Sequence, residues 1–533
     1  MGTQCWANDS SDLVNSANTA RHEDGIIKRS IMFVLARLVP GVFILGSIAI
    51  FTRLLSPSAY GLYALLNAMA ILIQLSVINW SSQALYRHLA SGEADGREAT
   101  NAATLVGFLG SLVIAGTVGS LSIRWALGYS WSAALGLLAT LAGFASLELI
   151  NIRHAALGQT KAYAASQFFR AFAVLCGGGL AAAYFGSGEA VLLCVGLAWI
   201  ATALGGGLIG WIANSDLSHF SVKTLLALLA YGLPLSLSAL IMQGTGSLIR
   251  ALLALYRDTS AVGEYAAGFD FVQYTVGSIG LGIFLAGAPA ILAAAERPRA
   301  EIDAALTRFG TFLALILVPS AVGLAMIAPE LGTLLIGPAL LPGAAKVIPW
   351  TAAAMLLATL RGYYFELSFQ LARWTIGAVI SAALTLITAL VLGMILIPRA
   401  GVEGAAQATF GSFVVGILAS YALGRFHAVR IPIPLVELAK IAFATAVMAL
   451  TTLLPSHANP VAGLIVKIVT GATGYSLAIL ATNPLQLRPL AIRMLVARLE
   501  RGSPSATPRE RDQSSGSGAG LSEEPAGSGA DET

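Results

Sequence analysis

The sequence is a succession of predominantly apolar stretches joined by short polar connections. They cover residues 31–51, 60–82, 101–122, 132–151, 168–186, 190–212, 231–255, 265–292, 309–329, 347–371, 374–397, 403–423, 436–454 and 461–482. At 1.5 Å per residue, about 20 apolar residues bridge the hydrocarbon layer of a bilayer. Backbone in lipid must satisfy its own N–H and C=O groups, so stretches of this length are predicted to be helices. The pattern predicts an all-α polytopic membrane protein of about fourteen transmembrane helices. Composition agrees: 56% of residues are hydrophobic and 11% charged, whereas soluble domains are about a quarter charged. No connection is long enough for a sizeable extramembrane domain.

Lys and Arg collect on the cytoplasmic side of membrane proteins. With the N-terminus inside, the inner side holds fourteen of them: Arg21, Lys28, Arg29, Arg87, Arg97, Arg153, Lys161, Lys223, Arg297, Arg299, Arg308, Arg373, Arg425 and Arg430. The outer side holds five: Arg53, Arg124, Arg257, Lys346 and Arg399. Both termini are therefore expected in the cytoplasm. Residues 1–25 read as a disordered polar head, and the first span as an uncleaved signal anchor. After the last span, Arg488, Arg493, Arg498 and Arg501 are spaced among apolar residues. They read either as an interfacial amphipathic helix or as a basic membrane-exit flank. From Gly502 the composition is that of a disordered tail.

A repeat divides the chain. Ser58-Ala59-Tyr60-Gly61-Leu62-Tyr63-Ala64 follows the first span, and Ser260-Ala261-Val262-Gly263-Glu264-Tyr265-Ala266 follows the seventh. Six spans separate the copies, so both have the same orientation. This predicts two six-helix lobes related by an axis along the membrane normal. The expected division is a head (1–25), an N-lobe (26–212), a cytoplasmic linker (213–230), a C-lobe (231–425), two further helices (426–484), and an amphipathic basic helix with its tail (485–533).

Five segments resemble the polysaccharide-biosynthesis flippases of the multidrug/oligosaccharidyl-lipid/polysaccharide exporter superfamily. They are Arg53-Leu54-Leu55-Ser56-Pro57-Ser58-Ala59-Tyr60-Gly61-Leu62-Tyr63; Tyr231-Gly232-Leu233-Pro234; Arg250 with Val262-Gly263-Glu264-Tyr265-Ala266; Pro329-Glu330-Leu331 with Leu335-Ile336-Gly337; and Gly401-Val402-Glu403-Gly404-Ala405-Ala406-Gln407-Ala408-Thr409. The resemblance covers about residues 26–425. It departs where the family often carries Asp before the span 7 arginine, for here that residue is Ile249. The resemblance implies an inner-membrane flippase for undecaprenyl-pyrophosphate-linked oligosaccharide, serving O-antigen, capsule or exopolysaccharide synthesis. It also implies a glycan polymerase and a chain-length regulator as partners.

Ionisable residues at membrane depth are costly and mark candidate sites. They are Arg37, Arg170, Arg250, Asp270, Arg361, Glu366, Lys440 and Lys467, with cations in excess. Arginine holds phosphate oxygens through paired hydrogen bonds, so Arg37 and Arg250 are candidate ligands for a pyrophosphate. Each has a competing reading as a residue that snorkels to the surface. Asn67, Gln74, Asn79, Gln243, Gln273 and Tyr274 are candidates for binding sugar hydroxyls. Asp270 reads either as an ion-coupling carboxylate or as a fixed partner of Arg250. Arg170 reads as an interface anchor, and Lys440 as snorkelling. Arg361 and Glu366 are five apart, a poor spacing for one α-helical face, and read as a structural bridge. Lys467 is left unassigned. Pro40, Pro234, Pro289 and Pro319 are expected to kink their helices. Gly205-Gly206-Gly207 with Gly210 is expected to permit close helix packing.

No phosphate-binding GxxxxGK[ST] loop is present, so transport would draw on an ion or substrate gradient or on a partner. Cys5, Cys176 and Cys194 have no metal or disulfide spacing. No catalytic residues, cofactor, metal or nucleic-acid partner is expected. The competing functions are an ion-coupled small-molecule or drug exporter, a membrane glycan polymerase or ligase, and a non-transporting scaffold. Outer connections of about ten to seventeen residues leave little room for the active-site loop of a polymerase.

Overall fold

The computed structural model describes residues 40–91, 97–293, 298–427, 431–453 and 459–484. The expected head, Arg37 and the segment 485–533 lie outside these residues. Among the described residues, every regular element is helical. The helices are α1 (Pro40–Leu54), α2 (Pro57–Leu89), α3 (Arg97–Ala126), α4 (Trp131–Ala156), α5 (Thr160–Phe185) and α6 (Gly188–Ala213). Next come α7 (Val222–Gln243, resuming as Thr245–Tyr256), α8 (Thr259–Ala288), α9 (Arg299–Leu335) and α10 (Leu341–Leu371). The 51-residue run Ile376–Phe426 is parted at Gly401 into α11 and α12. It is followed by α13 (Leu435–Thr452) and α14 (Val461–Thr482).

The helices coincide with the apolar stretches but generally run past them, because hydropathy detects only the lipid-buried part. Capping residues set many of the true ends. Ser56, Ser130, Ser187 and Asp258 accept from backbone N–H groups three residues on, giving acceptors to donors that the first turn leaves unpaired. Gly401 has φ +58° and ψ −127°. That conformation favours glycine, and it turns one long helical run into two crossings. Helix resumes at Val222, within the stretch 213–230 expected as a linker.

The two copies of the repeated motif meet. A methyl group on Gly61 would strike the Thr259 carbonyl and the Gly263 nitrogen, and one on Gly263 would strike the Pro57 carbonyl and the Gly61 nitrogen. Thr259 stands to the second copy as Pro57 stands to the first, so the contact is reciprocal. This is what a twofold axis between α2 and α8 requires. A second likeness lies deeper in the same helices. Gln74–Ile78 in α2 and Gln273–Gly277 in α8 are both π-helical turns. In each, the third residue, Ser76 or Thr275, donates its hydroxyl to the carbonyls three and four residues back.

The end of the bundle that carries these motif copies is called here the motif end. Contacts between connections keep to one end or the other. Arg53 meets Leu334 at the motif end, and Glu98 meets His219 at the opposite end. This is the alternation that successive crossings impose.

Not every glycine packs. The expectation for Gly205, Gly207 and Gly210 is overturned, since each faces open space. Gly207 instead carries φ +101° inside a π-helical turn of α6. The last two helices pair with each other and dock on α9. Lys467 of α14 bonds Glu330 of α9 at 2.6 Å. The Tyr475 hydroxyl donates to the Leu315 carbonyl at 2.6 Å. Pro319, four residues on, has no N–H to offer that carbonyl, so α14 supplies the bond that the proline removes.

Candidate functional site

Between the two halves lies a cavity of about 910 Å³. Its lining runs along α2 from Tyr60 to Gln83, a rise of about 34 Å, comparable to the hydrocarbon thickness of ~30 Å. Helices α1, α2, α4, α5 and α6 contribute from the first half, and α7, α8, α10 and α12 from the second. Tyr60, Tyr63, Trp199, Phe269, Tyr274 and Phe413 give it an aromatic wall.

The cavity carries five charged side chains, Arg170, Arg250, Arg361, Asp270 and Glu366. Arg250 of α7 and Asp270 of α8 form a hydrogen-bonded ion pair, and the guanidinium lies 5.6 Å from the Phe269 ring centre. The carboxylate missing beside this arginine in α7 is thus supplied from α8. Ile249 is fully buried in the packing of α7.

Arg361 and Glu366 form the second pair, at 3.2 Å. The α-helical argument against them fails locally. Arg361–Phe365 is a π-helical turn, in which the Glu366 N–H bonds the Arg361 carbonyl. Such i→i+5 bonding sets residues five apart over one another.

Arg170 of α5 is the third cation. The expectation that it anchors the helix at the interface does not fit its position on the cavity wall. No carboxylate pairs with it among the described residues.

Of the residues expected from sequence, Asn67, Gln243, Arg250, Asp270, Gln273 and Tyr274 line this one cavity. Gln74 and Asn79 do not; both are buried in α2. Arg37 lies outside the described residues. Several lining atoms have spare hydrogen-bonding capacity. Asn67 Oδ1, Trp199 Nε1, Arg170 Nε, Arg250 Nε and Arg361 Nε are buried without a partner among the described residues. Buried polar atoms in native proteins are normally satisfied, so these are groups that a polar occupant would engage. Lys440 and Lys467 lie elsewhere, paired with Glu437 and Glu330. Among the described residues, no cluster of three or more His, Cys, Asp or Glu could hold a metal ion.

At the motif end the two halves are joined by close contacts. Tyr60 adjoins the Gly61–Gly263 crossing. The Gly337 N–H donates to Thr52 Oγ1 at 2.9 Å. Arg53 donates to the Leu334 carbonyl at 2.5 Å and the Thr333 carbonyl at 3.3 Å. A cation thus sits on the negative C-terminal end of α9 and ties α1 to the second half of the molecule.

The fold is shared with known transport proteins. The structure entitled lipid II flippase MurJ, inward closed conformation, superposes with a TM-score of 0.70 at 13% identity, over 87% of this chain and 100% of that one. An inward-facing multidrug resistance MATE family transporter of the MOP superfamily gives 0.56 at 16%, over 74% and 98%. A mutant MATE transporter from Vibrio cholerae gives 0.51 at 15%, over 76% and 98%. No curated protein matches the sequence. Residues 50–342, more than half of the chain, match the family described as polysaccharide biosynthesis protein, and the chain belongs to that family.

Proposed function

We propose that this protein moves a lipid-linked oligosaccharide, carried on undecaprenyl pyrophosphate, across the inner membrane by alternating access. The observation that carries the reading is the composition of the cavity. A slot as long as the bilayer is thick is lined by three arginines against two carboxylates, and both carboxylates are held by arginines. Guanidinium groups suit phosphate oxygens. Asn67, Gln243 and Gln273 supply hydrogen bonds for sugar hydroxyls, and the aromatic wall offers faces for sugar rings. The polyprenyl tail stays in the bilayer, between the halves. Membership of a polysaccharide biosynthesis family and the likeness to a lipid II flippase support the same class of cargo.

In this reading the motif end is periplasmic, both termini are cytoplasmic, and the product serves O-antigen, capsule or exopolysaccharide assembly. A glycan polymerase and a chain-length regulator then act downstream. Asn67, Gln243, Arg250, Gln273 and Tyr274, with Arg37, are the proposed substrate ligands, and Asp270 the proposed coupling residue. The two halves, 26–212 and 231–425, move against each other about the Gly61–Gly263 contact. A drug exporter for cations would favour a cavity in which acid groups are free, and here they are engaged.

Deletion of the gene tests the proposal. The lipid-linked repeat unit should accumulate on the cytoplasmic face, measured by its accessibility to a membrane-impermeant glycosidase in inverted and right-side-out vesicles. Accumulation on the periplasmic face would overturn it.

A further inference from the structure

The three cavity arginines are not equivalent. Arg250 is held by Asp270 and Arg361 by Glu366. Arg170 has neither a hydrogen bond nor an ion pair from its side chain among the described residues, and its Nε is buried. Paired guanidiniums have part of their charge and donor capacity already spent. A phosphate bound there either lies against the like charge of the carboxylate already held or displaces it and leaves it uncompensated in a low-dielectric site. Arg170 gives up nothing.

Its depth is informative. Thr160 to Arg170 in α5 and Arg361 to Leu371 in α10 are equal lengths of helix, each about 15 Å from the end opposite the motif. Arg170 and Arg361 therefore stand at similar helical distances from that end, on different halves of the molecule. Arg250 lies nearer the motif end, about 9 Å of helix from Tyr256, and its partner Asp270 about 16 Å from Thr259. An anionic group entering from the end opposite the motif reaches the layer of the free cation before it reaches Arg250.

We propose that Arg170 is the loading residue for the pyrophosphate of the cargo, and that Arg250 engages it afterwards. This rests on the flippase reading above and assigns one residue within it. Among the described residues the cavity thus holds one arginine with no carboxylate already bound to it.

The test uses the full chain in nanodiscs, with farnesyl pyrophosphate as probe and farnesol as its uncharged control. Wild type should prefer the pyrophosphate, and Arg170→Gln should weaken its binding by about tenfold or more. In a background with Cys5, Cys176 and Cys194 replaced by Ser, Arg170→Cys should bind weakly. It should regain binding after reaction with a thiol reagent that adds an ammonium group, and not after one that adds a methyl group. Unchanged binding in Arg170→Gln, or equal effects of the two reagents, would overturn the assignment while leaving the flippase reading in place. A wild type that binds farnesol as well as the pyrophosphate would remove both.

Discussion

Gly61 and Gly263 occupy the same position in the two motif copies, and each lies against the backbone of the other. No side chain fits between them. A methyl group on either would meet main-chain atoms, which cannot rotate aside as a side chain can. Gly61→Ala and Gly263→Ala should each destabilise the protein by about 1–3 kcal/mol, the usual cost of overpacking. Because both act on one contact, the double substitution should cost less than the sum. Thermal unfolding of the four variants in detergent measures this directly, and strict additivity would contradict a shared contact.

Arg250 and Asp270 form a buried pair. Removing one charge leaves the other unpaired, at a cost of about 3–5 kcal/mol. Asp270→Asn should lower stability and abolish transport. The double variant Arg250→Gln/Asp270→Asn should recover most of the stability and none of the transport. Full transport by Asp270→Asn would exclude a coupling role for that carboxylate.

The pair Arg361–Glu366 depends on the π-helical turn between them. Inserting one alanine after Gly362 would set Arg361 and Glu366 six apart and rotate the rest of α10 by about 100°, so the pair should break and transport fall to background. Gly362→Ala is the control. Nothing lies within 4 Å of the added methyl, and activity should be unchanged. If both variants behave alike, the register of α10 does not matter to transport.

Arg53 joins α1 to the C-terminal carbonyls of α9. Arg53→Ala should raise the accessibility of the cavity from the motif end. A single cysteine at Ser247, which lines the cavity, should react several-fold faster with a membrane-impermeant maleimide in that background. No change in rate would mean that the Arg53 contact does not limit access from this end.

The helices were legible because lipid leaves a long apolar stretch little choice of conformation, and the repeat was legible because the fold uses one glycine contact twice. Spacing along the chain did not reveal which face of each helix meets the cavity. Arg170 read as an interface anchor because nothing in α5 shows whether that face meets lipid or the cavity. Gln74 and Asn79 read as ligands for the same reason, and the structure buries both in α2. Arg361 and Glu366 read as a structural bridge, but only the π-helical turn between them brings them together on one helix. Asp270 and Arg250, by contrast, sit on helices joined by a tight connection, and that closeness was visible in their spacing.

Tyr475 and Pro319 carry a consequence for the two helices beyond the repeat. The Leu315 carbonyl has lost its helical donor and is satisfied by the Tyr475 hydroxyl. Tyr475→Phe should lower stability by about 1 kcal/mol, readable as a fall in the unfolding midpoint. The implication is historical as well as mechanical. A descendant of this protein that shed α13 and α14 would leave a bare carbonyl facing lipid on α9. Exchanging Pro319 for a residue with an N–H would restore the helical donor, so the appendage and the proline should be retained or lost together.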